Sequence, residues 1–351
     1  MLSLLGTIYG KLADIRNAMY ASGVFETHDL GALTISIGNI TAGGTGKTPL
    51  VAYVAAILAD RGEKVCILTR GYGRQNPNQR VLVSDGEEVL AETGEAGDEP
   101  YELAQKLIGK AIVIADADRV SAAEWAKRKF GVTTFVLDDG FQHRRAKRDV
   151  DIVCVDATDP FGGGKMLPAG RLREPLHNLN RADIVVITRA NLAEDISDLK
   201  FQISNLSPES WIFCASNRIP AIIGIEEFHA KPQRTQSQEK GTGGSWGKVG
   251  IEFTGRPVFA FCGIGNPANF VRQLEQENLD VAGFKAFPDH HIYKQEHIAQ
   301  VEEIARQNVA ISLLTTAKDA VKLGALKFTL PCYVVEIEVL IENPTDFGSM
   351  F

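Results

Sequence analysis

Residues 37–49 read Ile37-Gly38-Asn39-Ile40-Thr41-Ala42-Gly43-Gly44-Thr45-Gly46-Lys47-Thr48-Pro49, or IGNITAGGTGKTP, and this stretch decides the fold. An apolar run, Leu33 to Ile37, leads into it, and Leu50 to Leu58 continues from it with a helical pattern. A strand, a glycine-rich loop and a helix in that order form a phosphate-binding loop. Glycines let consecutive backbone N–H groups face phosphate oxygens at a helix start, a lysine follows the β- and γ-phosphates, and a hydroxyl holds magnesium. Gly43, Gly44 and Gly46 supply the permissive backbone, Lys47 and Thr48 the two side-chain roles, and Thr41, Ala42 and Thr45 complete the candidate nucleotide-binding loop. Thr41 stands where the motif has its first glycine, so the backbone angle there must be one that a β-branched residue adopts. The competing reading is a glycine-rich structural turn.

On either side of the loop, short β-rich apolar runs alternate with helical patterns: Leu33 to Ile37, Val65 to Thr69, Ala111 to Ala115, Thr134 to Leu137, Asp151 to Val155 and Ile184 to Thr188. This alternation predicts an α/β fold, a P-loop kinase core with a mostly parallel sheet covered by helices. From Phe228 to Val249 the pattern fails, and residues 231–248, KPQRTQSQEKGTGGSWGK, are polar and glycine-rich. The rhythm resumes with PVFAFCGIG, a helix over Asn266 to Glu277, and the runs Val309 to Thr315 and Cys332 to Ile337. A chain of 351 residues exceeds one typical core. The expected division is a nucleotide-binding kinase domain over 1–215 with an N-terminal amphipathic helix, a linker or exposed excursion over 216–250, and a smaller α/β domain over 251–351.

Thirty-seven basic against 44 acidic residues give a net charge of -7, which argues against nucleic acid as a general partner, because backbone binding needs a concentrated positive face. The five cysteines, at 66, 154, 214, 262 and 332, are widely spaced and mostly flanked by apolar residues, which fits reduced core thiols and a reducing cytoplasm. No apolar run approaches the roughly 18–20 residues of a spanning helix. Leu5, Ile8, Tyr9, Leu12, Ile15 and Met19 fall on one helical face with Lys11 and Arg16 among the polar positions. That helix either packs on its own domain or lies on a membrane surface.

The run TTFVLDDGFQH, residues 133–143, is an apolar strand delivering carboxylates at its end. Asp138 or Asp139 can hold magnesium directly or through water, the alternative being an aspartate that only caps a helix. A nucleoside triphosphate with magnesium leaves the purpose open. A GTPase should carry an NKxD motif, but Thr316-Ala317-Lys318-Asp319 sets the lysine beside the aspartate; a partitioning-type switch should carry a lysine before the double glycine, where Ala42 stands. Phosphoryl transfer to a small acceptor or a lipid remains, and it needs a group to take the acceptor's proton. The polar clusters able to supply one are GEAGDEP with Asp98 and Glu99, ADADR with Asp116, Asp118 and Arg119, and PDHHIY with Asp289, His290, His291 and Tyr293. A metal site is the other use for such residues, although the DHH spacing matches no zinc pattern.

The chain resembles the tetraacyldisaccharide 4'-kinases, the lipid A 4'-kinases of Gram-negative bacteria. The matching elements are ordered and span most of it: YGKLADIRNAMY, SIGNITAGGTGKTP, LTRGYGR, GDEP, ADADR, LDDGFQH, LPAGRLREP and FPDHHIY. The resemblance implies ATP-dependent phosphorylation, with Mg2+, of the 4'-hydroxyl of a tetraacylated glucosamine disaccharide 1-phosphate. It also implies an enzyme lying peripherally on the cytoplasmic face of the inner membrane through its N-terminal helix. By the same resemblance Asp98 is the base with His290 as its partner, and Asp138 and Asp139 are the magnesium and catalytic-site acids. Lys47 and Thr48 match the phosphate and magnesium positions. Arg119, Gln142 and Glu174 are further active-site positions, with Glu99 beside Asp98, and Tyr72, between two glycines, lines the nucleotide pocket. Ala317 departs from the family, which more often has glutamate there, and the linker is long. The rival function is a nucleotide-dependent switch or assembly protein with no phosphorylated acceptor.

Overall fold

Five-residue runs of Val, Ile, Leu and Phe, with no polar face, are suited to strands buried on both sides. In the structure, a computed structural model describing residues 2–230, 253 and 256–351, they take that form. The strands of the first half are β1 (Leu33–Asn39), β2 (Val65–Thr69), β3 (Val81–Ser84), β4 (Ala111–Ala115), β5 (Thr134–Asp138), β6 (Val150–Asp156) and β7 (Ile184–Thr188). Between them run α1 (Leu2–Ala21), α2 (Lys47–Asp60), α3 (Thr93–Ala96), α4 (Asp98–Lys106), α5 (Arg119–Phe130) and, after β7, α6 (Ser197–Leu206). All five residues of β2, β4, β5 and β7 are buried. The second half continues with β8 (Trp211–Gly224), α7 (Ile225–Ala230), β9 (Val258–Cys262), α8 (Pro267–Gln276), β10 (Val281–Ala286), α9 (Gln295–Gln307), β11 (Ser312–Thr316), α10 (Ala317–Ala320), β12 (Cys332–Ile341) and α11 (Pro344–Gly348).

The strands form one twelve-stranded sheet in the order β10-β9-β11-β12-β8-β7-β6-β1-β5-β2-β4-β3. The pairings are parallel except β3 with β4 and β8 with β12. The expected boundary at residue 215 falls inside β8. Its beginning pairs with β7, Ile184 opposite Trp211 through Ile187 opposite Cys214, and its remainder pairs antiparallel with β12, from Ala215 opposite Ile341 to Gly224 opposite Tyr333. The chain therefore passes between the halves within a strand, and residues 216–230, expected as the start of a linker, are the rest of β8 and α7. Beyond its apolar start, β8 turns polar at Ser216 to Arg218 and is only half-buried, so its continuation carries no strand signal. The remainder of the expected linker, residues 231–250, lies outside the described residues.

Separate apolar cores cover the faces of the two halves. Ile35, Leu50, Val54 and Leu58 belong to one packed around β1 and α2, and Phe261, Ile298 and Leu313 to one in the second half. All five cysteines are buried free thiols. The exception to apolar burial is α1, whose buried residues are Gly6, Gly10 and Asn17. Leu4 is 66% and Leu12 59% exposed, and Leu5, Ile8, Tyr9 and Ile15 are exposed as well. Glycine permits this arrangement: a Cβ on Gly6 would lie 3.0 Å from the Met166 carbonyl oxygen, and one on Gly10 would lie 3.4 Å from the Met166 side chain. The helix meets its domain with its small residues and turns its large ones outward. Among the described residues no helix is long and apolar enough to cross a membrane.

Candidate active site

The carboxyl ends of parallel strands are where open α/β sheets leave a crevice, because the loops on neighbouring strands diverge there. β1 ends at Asn39, and the chain turns into α2, which begins at Lys47. Gly43 at φ 111° and Gly46 at φ 78° take the left-handed angles that the turn needs. Thr41 has no such angle; it is buried and bridges Leu172, which is why threonine serves in this place. The loop is fixed from several sides. Asn39 Nδ2 donates to Thr45 Oγ1 at 2.9 Å and Thr188 Oγ1 to the Thr45 carbonyl at 2.8 Å. Arg189 donates to the Gly44 carbonyl at 2.9 Å and Arg171 Nε to that of Ala42 at 3.0 Å.

Asp138 and Asp139, at the end of β5, differ in their settings. Asp138 accepts from Thr69 Oγ1 at 2.9 Å, and its carbonyl accepts from Arg119 Nη2 at 2.9 Å. Burial, followed by the charges of Glu99 and Asp139, pushes its pKa up to about 6. Asp139 takes φ 51°, both its oxygens accept from Arg173 Nη1 at 2.8 Å, and Lys47 Nζ stands 3.5 Å away. Burial opposes its charge too, but Lys47 and Arg173 outweigh it and hold the carboxyl below the usual range. With Thr48, these residues offer hard oxygen donors that fit magnesium. No group of three or more His, Cys, Asp or Glu able to hold a metal gathers among the described residues. Magnesium is ordinarily bound through one or two carboxylates together with substrate phosphates.

The second half contributes from the opposite side. His290, in the loop after β10, is held at φ 58°, and its Nδ1 lies 3.1 Å from Oδ2 of Asp98, the first residue of α4. Such strained non-glycine angles concentrate where geometry is functional. Burial would raise the pKa of Asp98, but the hydrogen bond with His290 and the charge of Lys322 lower it below the usual carboxylate range. Lys318 Nζ lies 3.1 Å from Glu99 and 3.0 Å from Asp289, and 3.5 Å from His290 Nε2. Burial works against its charge, yet Glu99 and Asp289 hold its pKa above the usual lysine range.

A cavity of about 2090 Å³ joins the two sides. Its walls include Ala42 through Thr48 of the loop, Asp138 and Asp139, and His290, with Tyr72, Glu99, Arg119 and Gln142 between them. Tyr9 and Arg16 of α1 line it as well. Gln142 Nε2 donates to the Asn39 carbonyl at 2.9 Å, and its Oε1 accepts from Arg173 at 3.2 Å. Three expected site residues are not in this lining: Thr41, Asp98 and Glu174. Glu174 is 2% exposed and accepts from Asn17 Nδ2 at 2.6 Å and Arg181 at 2.7 Å, so it fastens α1. Sequence reasoning passed over Arg173, Arg189, Lys318 and Lys322. Arg173 lies in LPAGRLREP and the two lysines in or beside TAKD, but nothing in either motif says which carboxylate each cation reaches.

Comparison with known proteins agrees across the chain. The family model described as Tetraacyldisaccharide-1-P 4'-kinase matches residues 1–351. A tetraacyldisaccharide 4'-kinase from Halothermothrix orenii is 36% identical, the match covering 100% of this chain and 91% of that one. One from Geobacter metallireducens is also 36% identical, covering 98% and 94%. A crystal structure of LpxK from Aquifex aeolicus in complex with ATP superposes with a TM-score of 0.73 at 28% identity, covering 99% of this chain and 96% of that one. The chain belongs to the tetraacyldisaccharide-1-P 4'-kinase family and is a kinase.

Proposed function

We propose that this kinase transfers the γ-phosphoryl group of ATP to the 4'-hydroxyl of a tetraacylated glucosamine disaccharide 1-phosphate. The observation that carries this reading is the single cavity that gathers the loop ending in Lys47 and Thr48, the Asp138 and Asp139 pair and His290 from opposite halves. The relative from Aquifex aeolicus with the same fold was crystallised with ATP. The expected domains 1–215 and 251–351, which β8 joins into one sheet, are read as two lobes facing this cleft.

In the proposed reaction Lys47 and the loop's N–H groups draw charge from the transferring phosphoryl group. The acceptor oxygen bonds to phosphorus as the bond to the β–γ bridging oxygen breaks, and ADP leaves. The hydroxyl proton passes to the Asp98–His290 pair, with Asp98 as the base and His290 as its partner. Arg119, Gln142 and Glu99 line the same cavity as further active-site positions, and Tyr72 lines its nucleotide end. Magnesium, held by Thr48, Asp138 and Asp139, supplies charge neutralisation on the phosphates when bound.

The outward apolar face of α1 supports peripheral attachment to the cytoplasmic face of a bacterial inner membrane. Tyr9 and Arg16 of the same helix reach the cavity wall, so acyl chains can stay in lipid while the sugar enters. The test uses radiolabelled ATP: label appearing on added lipid disaccharide supports the kinase reading. Label released only as inorganic phosphate supports the nucleotide-dependent switch. Asp98→Asn is expected to lower turnover about a hundredfold or more with ATP affinity nearly unchanged. A defect mainly in ATP binding would make Asp98 a structural carboxylate.

A further inference from the structure

We propose that Lys322 is a positioning residue, bridging Asp98 of the first half to the buried Asp319 of the second so that the Asp98–His290 pair keeps its geometry. The inference deepens the function proposed above and rests on it for the meaning of that pair. Lys322 Nζ lies 3.3 Å from Asp98 Oδ2 and 3.3 Å from Asp319 Oδ1, on a side chain only 10% exposed. It also stands over the Tyr293 ring, 5.6 Å from its centre. Its ammonium makes no hydrogen bond of good geometry, so attraction to the two carboxylates holds it in place.

The two ends of this bridge differ in rigidity. Asp319 is fully buried. It accepts from the Gly263 N–H at 3.0 Å, Thr316 Oγ1 at 2.7 Å and Tyr293 Oη at 3.0 Å, which ties it to the ends of β9 and β11 and to the loop after β10. Asp98 sits at the start of α4, on the other half of the molecule. Its Oδ2 receives both His290 and Lys322, so the lysine fixes the oxygen on which the imidazole is aligned.

Neighbouring charges leave this task to Lys322. Glu99 and Glu102 of α4, Asp289, His290 and Tyr293 of the loop after β10, and Lys318 and Asp319 of α10 surround the pair. Lys318 is committed to Glu99 and Asp289. A lysine this buried is costly unless its partners stay ionised, so the bridge and an ionised Asp98 require each other.

Removing the cation should raise the pKa of Asp98, because a nearby opposite charge favours the carboxylate. The test compares Lys322→Met and Lys322→Arg in the full chain. The Asp98 carboxyl is followed by carbon-13 NMR titration and assigned with Asp98→Asn. The methionine variant should move the midpoint up by about one pH unit and shift the acid limb of the turnover profile the same way, while arginine restores most of both. The ATP KM should stay within about twofold of the parent. An unmoved midpoint with activity lost equally at every pH, or no rescue by arginine, would overturn the proposal. If methionine prevents folding by stranding Asp319, Lys322→Gln, which removes the same charge and keeps a donor for that carboxylate, takes its place, and an upward midpoint shift is again expected. The NMR midpoint needs no lipid, so a shifted midpoint in a protein that never phosphorylates the disaccharide would sink the proposed function and leave the bridge standing.

Discussion

Two helices rich in apolar residues, α1 and α2, meet opposite fates. α2 runs from the nucleotide loop and packs against β1, β2 and β5 and, from the second half, β12. Its Leu50, Val51, Val54, Ala55 and Leu58 are buried. α1 buries Gly6, Gly10 and Asn17 and exposes its leucines and isoleucines. The helical pattern of the two is similar, and the difference lies in what each has to lie against. α2 is enclosed by the sheet, whereas the glycines of α1 meet a segment around Met166 to Pro175 that only small residues can approach. An apolar stripe states that a face will be covered. It does not state by what.

The contrast can be broken most severely at the start of α2. Lys47→Ala or Thr48→Ala should abolish phosphoryl transfer, since the first removes charge from the transferring phosphate and the second a magnesium-holding hydroxyl. Full activity of either variant in a transfer assay with magnesium would remove the nucleotide site from this loop. Further along the same helix, Leu58→Ala should cost about 2–5 kcal/mol in denaturant unfolding, because the enclosed position leaves a cavity. A cost below about 1 kcal/mol would mean that α2 is no better enclosed than α1.

On α1 the sensitive positions should be the small ones. Gly6→Leu is expected to loosen the helix, with overpacking against Met166 costing about 1–3 kcal/mol locally. Amide hydrogen exchange in α1 should speed up while β1 and α2 stay protected. Equal protection in the variant and the parent would show that the close approach does not matter. The smallest effect on stability belongs to Leu5→Ser, Ile8→Ser and Leu12→Ser made together, for which unfolding should shift by no more than about 0.5 kcal/mol per site. Partitioning onto anionic liposomes should nevertheless fall, as burying each side chain in lipid is worth roughly 1.5–3 kcal/mol. A large stability loss with unchanged partitioning would return α1 to the ordinary packed class.

Much of this was legible beforehand where the signal is local. The runs read at Val65 to Thr69, Ala111 to Ala115 and Ile184 to Thr188 are the strands β2, β4 and β7, because a strand buried on both faces must be continuously apolar. β8 and β10 were harder to read: the apolar start of β8, Trp211 to Ala215, runs straight into the polar Ser216 to Arg218, and β10 is largely half-exposed. At the site, Lys47 and Asp138 could be read from their motifs. Arg173 on Asp139 and Lys322 on Asp98 could not, since a cation's partner depends on which strands lie side by side.

The sequence alone determined the glycine-rich turn between β1 and α2, the strand that ends in two aspartates and the α/β rhythm, because each is encoded within a few neighbouring residues. Only the tertiary structure decided that β8 joins two halves into one sheet and that Lys322 meets Asp98 from the far end of the chain. The same holds for Glu174, which fastens α1 from outside the cavity lining. Side chains acquire these roles when strand order brings distant loop ends together. Strand order follows from burying apolar faces across the whole chain, a balance no short stretch contains.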